Sequence, residues 1–174
     1  MKIAVLGYSG SGKSTLARLL AEKHQVDTLH FDTVQFLPGW VIRSQEEKAR
    51  ITEDFMNTHD AWVIDGNYSK LSFERRMEEA DEIILLLFNR ISCLYRAYRR
   101  YRMFAGKTRP DMAEGCREKF DWEFATWILW KGRGKKNKQL FSGVMTRYPD
   151  KIVVIKNQKQ LNAYMASKGV SYGI

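Results

Sequence analysis

The segment Gly7-Tyr8-Ser9-Gly10-Ser11-Gly12-Lys13-Ser14 has the spacing GxxxxGK[ST] and follows directly on the apolar run Ile3 to Leu6. Its glycines let backbone N–H groups converge on an anion, and a helix starting behind them adds the positive end of its dipole. That geometry needs a strand before the loop and a helix after it, which restricts the chain to α/β architectures. Both are legible: Lys2 to Leu6 suits a buried strand, and Ser14 to His24 carries Leu16, Ala17, Leu19 and Leu20 at helical spacing. In such a loop Lys13 reaches the β and γ phosphates of a nucleoside triphosphate and the Ser14 hydroxyl coordinates Mg²⁺. Gly7, Ser9, Gly10, Ser11, Gly12 and Thr15 complete the nucleotide-holding turn. A nicotinamide-type turn is excluded, because Thr15 stands where GxGxxG needs its last glycine.

Strand and helix signals alternate along the rest of the chain. Asp27 to His30 is a second strand, Trp62 to Ile64 a third that stops at Asp65 and Gly66, Glu82 to Phe88 the most apolar, and Ile152 to Ile155 a fifth. Helices are expected over Ser44 to Thr58, where Ser44 and Glu47 have capping-box spacing, and over Tyr68 to Glu79. A basic helix covers Ile91 to Phe104, a Gly- and Pro-containing excursion Ala105 to Arg117, and an aromatic helix Glu118 to Lys131. Further helices end at Arg147 and cover Gln158 to Lys168. Five apolar strands alternating with helices imply a parallel sheet covered on both faces, with ligands beyond the carboxyl ends of its strands.

The 174 residues suit one such domain, 1–174. The longest apolar run near the middle, Ile83 to Phe88, falls far short of the roughly 20 residues a membrane span needs. The early apolar stretch meets the glycine turn too soon for a secretory signal, and Cys93 and Cys116 have neither a paired nor a zinc-ligand spacing. A cytoplasmic protein with reduced thiols and no membrane partner is expected.

Mg²⁺ at the phosphate loop needs a further oxygen ligand, and Asp65, ending an apolar strand, is placed to supply it. Charge is segregated: the net +9 splits into 10 cations against 14 anions from Met1 to Asn89, 14 against 5 from Arg90 to Lys138, and 5 against 1 from Gln139 to Ile174. A basic second half points to a polyanion, either nucleotide phosphates or a nucleic-acid backbone. Trp122, Trp127 and Trp130, with Phe120 and Phe124, form a helical stripe expected to pack neighbouring helices. Lys135, Lys136 and Lys138 read as a solvated cluster, and as the best place for a nucleic-acid contact.

The order of the phosphate-loop strand, Leu29-His30-Phe31-Asp32, Val63-Ile64-Asp65-Gly66-Asn67-Tyr68 and a basic helix leading into an excursion resembles the adenylate-kinase-like P-loop kinases. Asp32-Thr33, Pro38-Gly39-Trp40, Trp62 to Ser69 and Arg109-Pro110-Asp111 through Gly115-Cys116 are most similar to the family of DNA topology-modulation proteins, over most of the chain. The resemblance implies a three-layer P-loop NTPase fold whose five-stranded parallel sheet is ordered 2-3-1-4-5. It also implies a helical lid at about 105–117 with Gly106 and Gly115 as hinge points. Arg96 and Arg100, i,i+4 on one helix face, match the arginines that precede the lid in these kinases, and Arg109, with Arg117 behind it, is the lid cation. Asp32 stands where related kinases place a carboxylate that binds or deprotonates an acceptor hydroxyl. His30 alternates to the other side of its strand and is expected to be structural.

Arg43 and Arg50 lie where nucleoside monophosphate kinases hold their acceptor. Adenylate kinases continue Asp-Gly with Phe-Pro-Arg, however, and this chain has Asn67, Tyr68 and Ser69. Trp40, Asn67 and Tyr68 suit a smaller, partly apolar acceptor. The expectation is therefore an ATP- and Mg²⁺-dependent phosphotransferase acting on a small-molecule hydroxyl rather than a nucleoside monophosphate. Catalysis would rest on Lys13, Asp32, Arg100 and Arg109, nucleotide binding on the loop and Arg96, and the metal on Ser14 and Asp65. The competing reading is a nucleotide-regulated DNA-binding protein that influences DNA topology, although no helix-turn-helix or zinc finger accompanies it. Preference for ATP or GTP, the acceptor's identity, and a monomeric or dimeric state are not fixed by these residues.

Overall fold

The computed structural model describes residues 1–109 and 111–170, so Pro110 of the Arg-Pro-Asp segment lies outside the described residues. In chain order the first half comprises β1 (Lys2–Gly7), α1 (Lys13–His24), β2 (Asp27–His30), α2 (Phe31–Gln35), β3 (Phe36–Leu37), β4 (Val41–Ile42), α3 (Gln45–Thr58) and β5 (Trp62–Asp65). The second half comprises α4 (Phe73–Glu79), β6 (Glu82–Leu86), α5 (Arg90–Phe104), α6 (Trp122–Leu129), α7 (Lys135–Arg147), β7 (Ile152–Ile155) and α8 (Gln158–Ser167).

Alternation along β1 explains the layering. Ile3 and Val5 enter one buried cluster with Leu16 and Leu20 of α1, Cys93 and Ala97 of α5, Ile128 of α6 and Leu161 of α8. Ala4 and Leu6 enter the opposite cluster with Phe31 of α2, Met56 of α3, Met77 of α4 and Phe141 of α7. A strand apolar on both sides must be central and covered twice, and β1 is hydrogen-bonded in parallel to β5 on one flank and β6 on the other. No helix among the described residues is long and apolar enough to cross a membrane.

The five-stranded sheet has the order β2-β5-β1-β6-β7, all neighbours parallel. By chain numbering this is 2-5-1-6-7, and the expected 2-3-1-4-5 is corrected because the described residues form seven strands. The two extra strands, β3 and β4, pair antiparallel as a hairpin outside the sheet, Phe36 opposite Ile42 and Leu37 opposite Val41. Two-residue strands carry no periodicity, so the stretch around Pro38-Gly39 read only as irregular.

Two helix starts also move. The helix expected from Tyr68 begins at Phe73, because residues 66–71 are held as a loop by a buried arginine. Arg76 donates to the carbonyls of Leu71 at 3.0 Å, Gly66 at 3.3 Å and Tyr68 at 2.8 Å, and its guanidinium lies 4.3 Å from the Phe31 ring. The aromatic helix expected from Glu118 begins at Trp122, where the Asp121 side chain accepts from Phe124 N at 2.8 Å. Its tryptophans do not pack the core: Trp122, Trp127 and Trp130 are 79%, 45% and 56% exposed, whereas Phe120 and Phe124 pack against the first cluster.

Arg76→Met removes the three donors and leaves their carbonyls buried. Urea denaturation should show a loss of about 2–4 kcal/mol, from the usual worth of hydrogen bonds to a charged group and the desolvation of what they leave behind. An unchanged midpoint would mean that the 66–71 loop does not depend on Arg76.

Candidate active site

Gly7, His30 and Asp65 end three adjacent strands, and the β2–β5 register places His30 directly opposite Asp65. The loop leaving β1 requires glycine where it touches its neighbours. A Cβ on Gly7 (φ 143°) would lie 2.3 Å from the Leu86 carbonyl oxygen, and one on Gly10 (φ 78°) 2.4 Å from that of Cys93. Asn67 fixes the start of the loop: its Oδ1 accepts from Gly7 N at 3.0 Å and its Nδ2 donates to Gly7 O at 2.7 Å. Asn67, expected to suit an acceptor, lines the cleft and also staples the segment after β5 to the loop. Arg133, unassigned by the sequence reading, is buried on the loop's other side. It donates to Phe88 O at 2.8 Å, with its guanidinium 3.8 Å from the Tyr8 ring.

Lys13 and Ser14 open α1. Lys13 Nζ donates to Tyr8 O at 3.2 Å, and burial lowers its pKa against the opposing pull of Asp65 and Asp32. Ser14 Oγ donates to Asp65 Oδ2 at 2.8 Å, while Asp65 Oδ1 lies 2.6 Å from His30 Nδ1. Burial would pull His30 down, but the bond to Asp65 and its charge outweigh this and raise the pKa. His30, expected to be structural, is the buried partner of Asp65. A hydroxyl and a carboxylate in contact fit Mg²⁺, which commonly takes one or two protein oxygens and fills its remaining positions with water and phosphate. Among the described residues no group of three or more His, Cys, Asp or Glu could hold a metal.

Asp32 lies in the first turn of α2, where its Oδ1 accepts from Tyr68 OH at 2.9 Å. Burial raises its pKa and Asp65 adds to this, opposed by Lys13, the Tyr68 bond and Arg109. Asp32 and Lys13 line one open cleft of about 2190 Å³, as do Ser9, Gly10, Gly12, Ser14 and Thr15. Ser11 is buried under the loop, its Oγ without a hydrogen-bond partner.

The arginines are organised by Glu118, a residue whose sequence context predicts the start of the next helix. Glu118 Oε1 accepts from Arg100 Nε at 2.7 Å, and its Oε2 lies 2.6 Å from Arg109 Nε. Arg109 also pairs with Asp111 at 2.8 Å. Burial lowers the Arg100 pKa, and the neighbouring Arg109 acts in the same direction. Arg96 braces the loop, donating to Ser11 O at 2.8 Å with its guanidinium 4.2 Å from the Phe88 ring. Arg117 is exposed and does not line the cleft. The excursion has positive φ at Gly106 (73°) and Gly115 (75°), closes on itself through Ala105–Glu118 and Thr108–Arg117 bridges, and reaches the hairpin where Cys116 Sγ meets Leu37 O at 3.4 Å.

No family model matches this chain, and no curated protein does. Solved structures do match. A shikimate kinase from Acinetobacter baumannii in complex with shikimate aligns over 97% of this chain and 93% of its own, with a TM-score of 0.59 at 15% identity. A deoxyadenosine kinase from M. mycoides with products dCMP and a flexible dCDP bound aligns over 97% and 98%, with a TM-score of 0.51 at 14% identity. An uncharacterized protein from Eubacterium ventriosum ATCC 27560 aligns over 97% of each chain, with a TM-score of 0.53 at 15% identity. The chain has the P-loop kinase fold.

Replacing Glu118 by Gln leaves the buried Arg109 and the half-buried Arg100 without their shared counter-charge, a change whose fully buried form costs about 3–5 kcal/mol. Amide exchange across residues 105–118 should then accelerate by more than tenfold while the amides of β1 and β5 keep their protection. Equal exchange in both proteins would show that Glu118 does not hold the excursion.

Proposed function

We propose that this chain is an ATP- and Mg²⁺-dependent phosphotransferase whose acceptor is a hydroxyl of a small molecule. The observation that carries the reading is Asp32, a carboxylate with raised proton affinity lining the same cleft as Lys13 and the phosphate loop. A phosphate acceptor is already ionised at neutral pH and needs no base, whereas an alcohol gains from one. The kinase fold is consistent with the reading.

The glycine loop and Lys13 hold the triphosphate, Arg96 keeps the loop in shape, and Ser14 and Asp65 hold Mg²⁺. The metal, when bound, neutralises phosphate charge. Asp32, oriented by Tyr68, accepts the proton of the acceptor hydroxyl as its oxygen bonds to the γ-phosphorus. The bond from that phosphorus to the β–γ bridging oxygen breaks, and ADP leaves. Arg100 and Arg109, set side by side by Glu118, face the charge that spreads over the transferring group. Segment 105–117 acts as the lid that excludes water.

A second reading, nucleotide-regulated DNA binding, draws on the motif likeness to the topology-modulation family and on the basic stretch Arg90 to Lys138. Four of its cations point inward, however: Arg96 to the loop, Arg100 and Arg109 to Glu118, and Arg133 to Phe88 O. Engaged by the protein's own groups, they favour the phosphotransferase.

Lys13→Ala should abolish most ATP affinity in a calorimetric titration with Mg²⁺ while leaving the thermal transition in place. Retained affinity would remove the loop from the mechanism. Asp32→Asn should keep that affinity and lose about 10² to 10⁴ in transfer. The base works ionised, and its pKa is raised, so the acid limb of kcat should lie above the ordinary carboxylate value of 3.8 and vanish in Asp32→Asn. An unaltered acid limb in the variant would assign the limb to another group.

A further inference from the structure

Among the described residues, the buried Lys48 of the cleft forms no ion pair. The inward stripe of α3 runs Lys48, Thr52, Met56 at i, i+4, i+8, so a lysine occupies the position an apolar side chain would normally take. Lys48 is only 7% exposed, lines the cleft, and donates from Nζ to the neutral amide oxygen of Gln35 at 3.1 Å. No carboxylate among the described residues forms an ion pair with it. The cleft's acids are engaged elsewhere: Asp65 with Ser14 and His30, Asp32 with Tyr68, and Asp111 and Glu118 with arginines. The remaining two, Asp121 and Glu123, belong to the start of α6, whose Trp127 reaches Ser9 of the phosphate loop at 3.3 Å.

An ammonium buried without a counter-charge works against stability, and a methionine there would pack at no such cost. A fold that keeps it has a use for the charge outside its own packing. The position of Lys48 indicates that use. Gln35 and Asp32 are three residues apart on α2 and so share a face, and Lys48, bonded to Gln35, lines the same cleft as the carboxylate that receives the hydroxyl proton. Lys119, 5.1 Å from the Trp40 ring, and Lys70, whose carbonyl accepts from Gln45 at 3.3 Å, also line the cleft and make no ion pair among the described residues. The arginines the sequence suggested for this task are not there. Arg43 is spent on Glu47 and the Val34 carbonyl, Arg50 is exposed, and neither lines the cleft.

We infer that Lys48 anchors a negative charge of the acceptor, which is therefore an alcohol carrying a carboxylate or phosphate group: the anion sits on the Lys48 ammonium while the hydroxyl meets Asp32. The inference rests on the phosphotransferase reading and narrows its substrate class.

The test separates the two. With the phosphate loop saturated by a non-hydrolysable ATP analogue and Mg²⁺, the protein is titrated calorimetrically with glycerol, glycerate and glycerol 3-phosphate. At least one anion should bind about tenfold or more tightly than glycerol, the usual worth of a charge-assisted contact, and which of the two does so distinguishes carboxylate from phosphate. In Lys48→Met, whose unbranched side chain fits the same space, that preference should fall to within twofold. Three equal affinities, no binding of either anion, or a preference that survives in Lys48→Met would overturn the inference. Should Lys48→Met fail to give a cooperative urea transition, Lys48→Gln takes its place under the same criteria. Binding of the ATP analogue, titrated first, reports separately on the nucleotide site, so loss of that signal would count against the phosphotransferase reading instead.

Discussion

The approach of Gly7 to its neighbours sets the rest of the site. Its α-carbon lies so close to the β6 backbone that no side chain fits, and both its polar backbone atoms are taken by Asn67, with Tyr8 N continuing onto Leu86 O at 3.2 Å. The loop therefore leaves the sheet from one fixed point, which in turn fixes where Lys13 and Ser14 begin α1. Asp65 stands two residues before Asn67 on the same short segment. The bonds that anchor the loop thus also set the carboxylate against the Ser14 hydroxyl, and no separate device is needed to align them.

Burial then gives the charges in the cleft their character. It lowers the proton affinity of Lys13 and raises that of Asp32, so two groups that differ widely in water are drawn toward each other, as suits a site where a proton must change hands. Elsewhere the same environment is balanced by pairing. Glu118 gives one oxygen to the Nε of each of two arginines, and a single buried carboxylate keeps two like charges together that would otherwise repel. Lys48 has no such balance among the described residues.

The legible and illegible parts of the sequence divide along physical lines. The phosphate loop, β1, β5 and the Ser44 cap were readable because glycine spacing, continuous apolar runs and capping residues are local signals; Ser44 Oγ does accept from Glu47 N, at 3.1 Å. The β3–β4 hairpin, the start of α4 and the place of Glu118 were not, since each depends on tertiary partners: a two-residue pairing, three carbonyls gathered by Arg76, and two arginines from other segments. The tryptophans misled for the opposite reason. Helical spacing does not say which face of α6 meets the core, and Phe120 and Phe124 already fill that role. Lys48 leaves a faint mark in the sequence, a cation in register with Thr52 and Met56 on the inward stripe of α3.

The two halves of the cleft obey different rules. The phosphate half is made of backbone, where glycine conformations, helix N–H groups and carbonyl contacts leave little freedom to vary, and this is why one motif announces it. The opposite half is made of side chains on short elements, α2, the β3–β4 hairpin and the first turns of α3, whose packing tolerates exchange. A fold of this kind hosts unrelated acceptors, and the choice among them has to be sought in that wall rather than in the sheet. Here the wall offers a base at Asp32, a neutral amide at Gln35 and an unpaired ammonium at Lys48 on adjoining turns. Swapping the lysine for an apolar residue would ease its burial but take a buried charge out of the wall that faces the acceptor, so an acceptor held there by shape alone would lose the alignment that an ion pair provides.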